Sequence, residues 1–181
     1  MSHAIDIDGV HEKLFVLRNL VFASRSYASE ENIASEIDYG YGFFDDYWGY
    51  LKVILSNYII EVSVKMRMIQ EHCGNSEELN KYEIDALGDV SIGEIKKGKF
   101  DLTLRESFNK VIHSKRAVIE FTDDESGKFK FWDGNFNLYG LRGKEEWHLE
   151  LSVGPWAKSV ASYLTALEDN EKTINLGQDW S

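Results

Sequence analysis

FDLTLRESFNKVIHSKR, residues 100–116, ends where the periodicity of the chain changes. Within it Leu104, Phe108, Val111 and Ile112 recur at steps of three and four, the spacing of an amphipathic helix with one buried side. A helix is expected to begin at Phe100 or Asp101 and to last to about Lys115. Beyond Arg116 the pattern shortens to a period of two. Residues 117–122, 128–132, 135–139 and 146–151 each read as a strand, with turns at 123–127, at Asp133-Gly134 and at 140–143. Short turns between successive strands imply an antiparallel meander.

Working outward, the flanks of this junction are helical. Asp8 or a neighbour caps a first helix running to about Tyr27, with Val10, Leu14, Leu17 and Val21 on one stripe. Residues 29–42 fit a short helix and a glycine-rich turn. A long helix is expected over 43–72, roughly 45 Å at 1.5 Å per residue. It carries Leu51, Leu55, Ile59, Val62 and Met66 on one side, and Tyr50, Val53, Ile60 and Val64 on others. Such a helix either runs through a bundle or adds to a subunit interface. Ser76 caps a shorter helix to Asp85, and 88–98 reads as a connection. After the strands, Pro155 opens a last helix striped by Trp156, Val160, Tyr163, Leu164 and Leu167.

The expected fold is mainly α, in the α+β class. It is a single domain over 1–181: a helical core at 8–116, a β-meander at 117–153, a C-terminal helix at 154–168 and a tail at 169–181. The formal net charge of −11 argues against a broad electrostatic grip on a duplex, while leaving room for a small basic site. Cys73 is the single cysteine, so neither an internal disulfide nor a cysteine-rich zinc site is expected. The N-terminus lacks the basic-then-apolar order of a secretory signal, and the most apolar run, 53–68, is broken by Asn57, Glu61, Lys65 and Arg67. A cytoplasmic protein that does not span a membrane is expected.

The chemistry of the chain concentrates in the opening stretch. Arg105, Asn109 and His113 recur every four residues and form a polar ladder on a helix: a fixed positive charge, an amide and a group that exchanges protons near neutral pH. Lys110 and Arg116 add positive charge for a substrate phosphate. The same Asn109 and His113 serve equally as internal hydrogen-bonding residues. His148 is expected to face solvent or a sheet edge. Trp132, Tyr139 and Trp147 form either a base-stacking face or part of the core. Residues 96–99, with Lys96, Lys97 and Lys99, are the one basic cluster, a solvated loop by default. No metal site and no cofactor is expected.

The segment Asn109-Lys-Val-Ile-His113 resembles the motif helix of the HEPN family, the higher eukaryotes and prokaryotes nucleotide-binding domain. The family pattern is an arginine, usually followed by a polar residue such as asparagine, then a histidine after four to six intervening residues. Here Phe108 precedes Asn109, and Arg105 lies one turn earlier. The resemblance implies a HEPN-like helical bundle and a homodimer. It also implies a role in bacterial defence or toxin–antitoxin systems. The activity implied is either that of a metal-independent endoribonuclease, with Arg105, Asn109 and His113 catalytic and Lys110 and Arg116 binding substrate, or that of an inactive relative contacting RNA or nucleotide. The acidity of the chain supports a different class, a non-enzymatic interaction module such as an antitoxin-like or immunity-type inhibitor with a basic protein partner.

Overall fold

The computed structural model describes residues 5–31, 44–74 and 76–170. In chain order these form α1 (Ile7–Glu30), α2 (Phe44–Cys73), α3 (Glu77–Leu87), β1 (Gly93–Lys97), α4 (Leu104–Ile112), β2 (Arg116–Asp123), β3 (Lys130–Arg142), β4 (Glu145–Ser152) and α5 (Val153–Asp169). The architecture of the described residues is α+β, five helices and a four-stranded antiparallel sheet of order β1-β4-β3-β2.

Local chemistry accounts for the helix ends. The Asp6 carboxylate accepts from the Gly9 N–H at 2.9 Å and caps α1. Ser76 does the same for α3, and Thr103, through the Glu106 N–H at 3.1 Å, for α4. The motif helix therefore starts later than its apolar pattern suggests. It also ends sooner: Ile112 is its last residue and His113 is the C-cap. The expected short helix and glycine turn at 29–42 fall, from residue 32 on, outside the described residues, as does the tail beyond Asn170.

The sheet departs from the expected meander in two ways. Residues 93–97, read as a connection, are an edge strand. Gly93 pairs with Leu151 and Ile95 with Leu149, so two positions suffice to seat this strand on the buried face. Asp133-Gly134 is not a turn. It lies inside the 13-residue β3, while the chain reverses close to the other two expected turns, at 124–129, where the Asp124 N–H donates to the Phe129 carbonyl, and at Gly143-Lys144. Gly134, at φ +93°, bends β3 beneath α1, where a Cβ would meet Val21 Cγ1 at 2.9 Å.

Alternation sorts the sheet into two faces. Ile119, Phe136, Leu138, Leu149 and Leu151 are buried towards the helices, where α1, α4 and α5 pack on β3. One core then runs through Leu14, Leu17, Leu55, Ile59, Met66, Phe108, Trp156 and Leu164. Trp156 places its indole N–H 2.9 Å from Ser107 Oγ and its ring edge-on to Phe108, joining α5 to α4. The α1–α5 seam is joined by His11 and Glu168 at 2.7 Å, and the α1–α2 seam by Lys13 and Glu61 at 3.1 Å.

α2 is apolar on two opposite faces. Leu51, Leu55, Ile59, Val62, Met66 and Ile69 are buried in the core. Tyr50, Val53, Ile60 and Val64 are 64, 57, 48 and 39% exposed. With Asn57, also exposed, they repeat at three- and four-residue steps, about 180° from the core stripe at 100° per residue.

Candidate functional site

α4 presents a cleft of about 350 Å³ against the β3–β4 hairpin. Glu106, Asn109, Lys110 and His113 line it from the helix; Leu141, Arg142 and Trp147 line it from the hairpin. Leu104, Phe108 and Val111 anchor the opposite side of α4 in the core, which fixes the direction in which the cleft residues point.

Lys110 is the unusual member. It is 5% exposed, and its ammonium lies 3.1 Å from Glu106 Oε1, 4.0 Å from the centre of the Phe100 ring and 4.5 Å from that of Trp147. Two π faces and one carboxylate replace the water that a buried ammonium loses. The Trp147 indole lies flat on Gly140, directly across the β3–β4 ladder, so only a residue without a side chain fits beneath it. Asn109 donates from Nδ2 to the other oxygen of Glu106 at 3.2 Å. Glu106 thus holds both Asn109 and Lys110.

His113 and Arg142 are exposed on the two banks of this cleft. Among the described residues His113 is tethered only through its backbone, whose N–H donates to the Asn109 carbonyl at 2.9 Å. A guanidinium and an imidazole facing one cleft can grip a phosphate and move a proton. Lys110 and His113 also sit at the end of α4 where the carbonyl dipoles favour cations.

The ladder read from the sequence is split. Asn109, Lys110 and His113 share the cleft, but Arg105 does not line it. Each four-residue step drifts about 40° round a helix, so Arg105 lies about 80° from the direction of position 113. It is exposed, and its backbone N–H donates to Glu83 Oε1 of α3 at 3.0 Å. The arginine that lines the cleft with His113 is instead Arg142, which sequence reasoning placed only in a turn. Its flanking Gly140 and Gly143 mark a hairpin but give no sign of what the hairpin faces.

Arg116 lines a neighbouring hollow of about 280 Å³, with Lys97, Lys115, Tyr139 and Glu146, which shares Leu141 and Trp147 with the cleft. The Lys97 ammonium bonds Glu146 at 2.5 Å and holds that carboxyl below the usual carboxylate range. The expected aromatic face is also divided. Trp132 and Trp147 are buried on the helix side, whereas Tyr139 lies on the outer face, stacked on His148 at 4.2 Å. His148 does lie on the outer face and contacts Asn137 Oδ1 through Nε2 at 2.7 Å.

Among the described residues no cluster of three or more His, Cys, Asp or Glu side chains is placed to hold a metal ion, and no helix is long and apolar enough to cross a membrane. No protein family, curated protein or solved structure matches the chain.

Proposed function

We propose that this chain is a HEPN-like protein that binds the phosphate backbone of RNA in the cleft between α4 and the β3–β4 hairpin, with His113 as its proton-transfer group. The observation that carries the reading is the meeting of His113 with Arg142 in one cleft of an otherwise acidic chain. Arg142 takes the phosphate-gripping part that the sequence pattern assigns to Arg105. One histidine per protomer supplies one proton-transfer group, so the cleft is better equipped to bind RNA than to cleave it unaided. The resemblance of residues 105–113 to the HEPN motif helix supports a place among bacterial defence or toxin–antitoxin proteins.

The test is RNA binding and cleavage in a chelator, by wild type and by folded His113→Ala, Arg142→Ala and Arg105→Ala variants. Binding is expected to fall at least tenfold in Arg142→Ala and to stay within twofold in Arg105→Ala. Any cleavage is expected to vanish in His113→Ala. A wild type that binds no RNA, or an Arg105→Ala loss larger than that of Arg142→Ala, overturns the reading.

A second reading, an interaction protein, is favoured by one observation, the outer stripe of α2. The occupant it fits best is a second copy of this chain. Two stripes packed in parallel and in register set Asn57 against Asn57, amide to amide, as polar residues in two-stranded coiled coils do. Gly49 and Ser56 beside the stripe are small and uncharged, which limits the repulsion between two acidic copies. The homodimer and the RNA cleft are compatible, since the stripe is on α2 and the cleft on α4.

A further inference from the structure

The hollow lined by Lys97, Lys115, Arg116, Tyr139 and Glu146 is a second place where charge and geometry converge. Arg116 is the first residue of β2 and pairs with Tyr139 of β3. Its guanidinium lies over the Tyr139 ring, 5.1 Å from the centre. The Tyr139 ring is stacked on His148, at 4.2 Å and 20° between planes. His148 is in turn held by Asn137, which is 2% exposed. The Asn137 Nδ2 has no hydrogen-bond partner among the described residues. A buried amide left half-unsatisfied is costly, and the bond it does make fixes the imidazole. The four side chains form a column running from a buried amide to an exposed guanidinium.

This column decides what the hollow can take. With His148 stacked on it and Arg116 over it, Tyr139 does not offer a free ring face on which a base could stack. Its function is to hold the guanidinium over a flat surface, which leaves the edge of the fork free to donate. Lys115 is the neighbouring cation. Among the described residues no carboxylate lies within 4 Å of Lys115 or Arg116, whereas Lys97 on the far wall is already neutralised by Glu146. The hollow therefore carries two uncompensated positive charges in a chain of net charge −11.

We propose that this hollow, which adjoins the α4 cleft through Leu141 and Trp147, is a phosphoryl-binding site in which Arg116 and Lys115 grip the phosphoryl oxygens and Tyr139 and His148 are positioning residues for Arg116. The group it recognises is carried either by a free phosphomonoester or by a nucleic-acid backbone. The two sources are separated by two probes, adenosine 5′-monophosphate and a single-stranded hexanucleotide with a 5′-hydroxyl end. Binding would be measured by calorimetry at low salt, and the site would be located by the Nε–Hε signal of Arg116.

The expected result is that at least one probe shifts the Arg116 signal. Its affinity should fall about tenfold or more in Arg116→Ala, and should not recover in Arg116→Lys, which cannot stack or fork. Tyr139→Leu should weaken binding less than Arg116→Ala while broadening the Arg116 signal of the free protein, which a loss of fold alone would not do. A shift with the monophosphate alone assigns the site to small phosphomonoesters; a shift with the hexanucleotide assigns it to a backbone. Binding abolished by Arg142→Ala but unchanged in Arg116→Ala overturns this proposal and leaves the α4 cleft standing. Absence of binding by either probe overturns it outright.

Discussion

Gly140→Ala tests whether the cleft wall is as tightly built as its geometry states. The new Cβ would stand 2.2 Å from Trp147 Cζ2 and 2.5 Å from Cε2. Carbon atoms rest at about 3.5–4.0 Å, so the indole must retreat by about 1.5 Å. It has little room to do so: Trp147 is 5% exposed, and its far face carries the Lys110 ammonium. Two effects oppose each other. Alanine restricts the unfolded chain and stabilises by about 0.4–1 kcal/mol where the backbone is unstrained. Overpacking of a filled site costs about 1–3 kcal/mol, and here displacing Trp147 also loosens the Lys110 enclosure. The steric effect wins, for a net loss of about 2 kcal/mol. In a chain of this size that lowers the melting temperature by about 4–8 °C. Urea unfolding followed by tryptophan fluorescence would measure it. A variant as stable as wild type would refute the flat indole-on-glycine arrangement, and with it the stated shape of the cleft.

Other consequences can be measured separately. Lys110→Met keeps the stem between Phe100 and Trp147 and is expected within about 1.5 kcal/mol of wild type, whereas Lys110→Ala empties that space and costs about 2–3 kcal/mol by chemical denaturation. The Asp124 carboxyl, accepting from the Ser126 hydroxyl and N–H and facing Arg25, is held down at about 2 against an ordinary 3.8. A depressed carboxyl contributes stability above its unfolded value, and that contribution fades as pH falls from about 4 to 2. The stability gap between wild type and Asp124→Asn should accordingly narrow across that window in acid titrations of the unfolding midpoint. Ile60→Lys on the outer α2 stripe should give a monomer by sedimentation where wild type shows a concentration-dependent dimer; a wild type that stays monomeric at hundreds of micromolar refutes the α2 dimer.

Much of the architecture was legible in local pattern, because helices and half-buried strands write their periods into the chain. The apolar stripes of residues 7–30 and 153–169, the turn at 124–127 and the change of period after Arg116 each rest on near neighbours. The doubly apolar character of α2 was visible too, since Tyr50, Val53, Ile60 and Val64 have to face somewhere. What misled was chemistry whose meaning depends on distant partners. Asp133-Gly134 has the composition of a hairpin turn, but the glycine is there because α1 passes over it and Val21 occupies the space of a Cβ. Residues 93–97 have too few apolar side chains to announce a strand, and become one because β4 offers an unpaired edge.

The candidate site divides along the same line. Local spacing places Asn109 and His113 on one side of a helix, with Lys110 beside them. Packing between elements leaves Arg105 outside the cleft, its backbone N–H bonded to Glu83 of α3, and brings in Arg142 from a hairpin 29 residues after His113. Nor could spacing show that Lys110 is enclosed by Phe100 and Trp147, or that Arg116 rests on a column ending at Asn137. Helix periodicity fixes directions within one element, whereas the partner of a charge is fixed by how separate elements bury their apolar faces together.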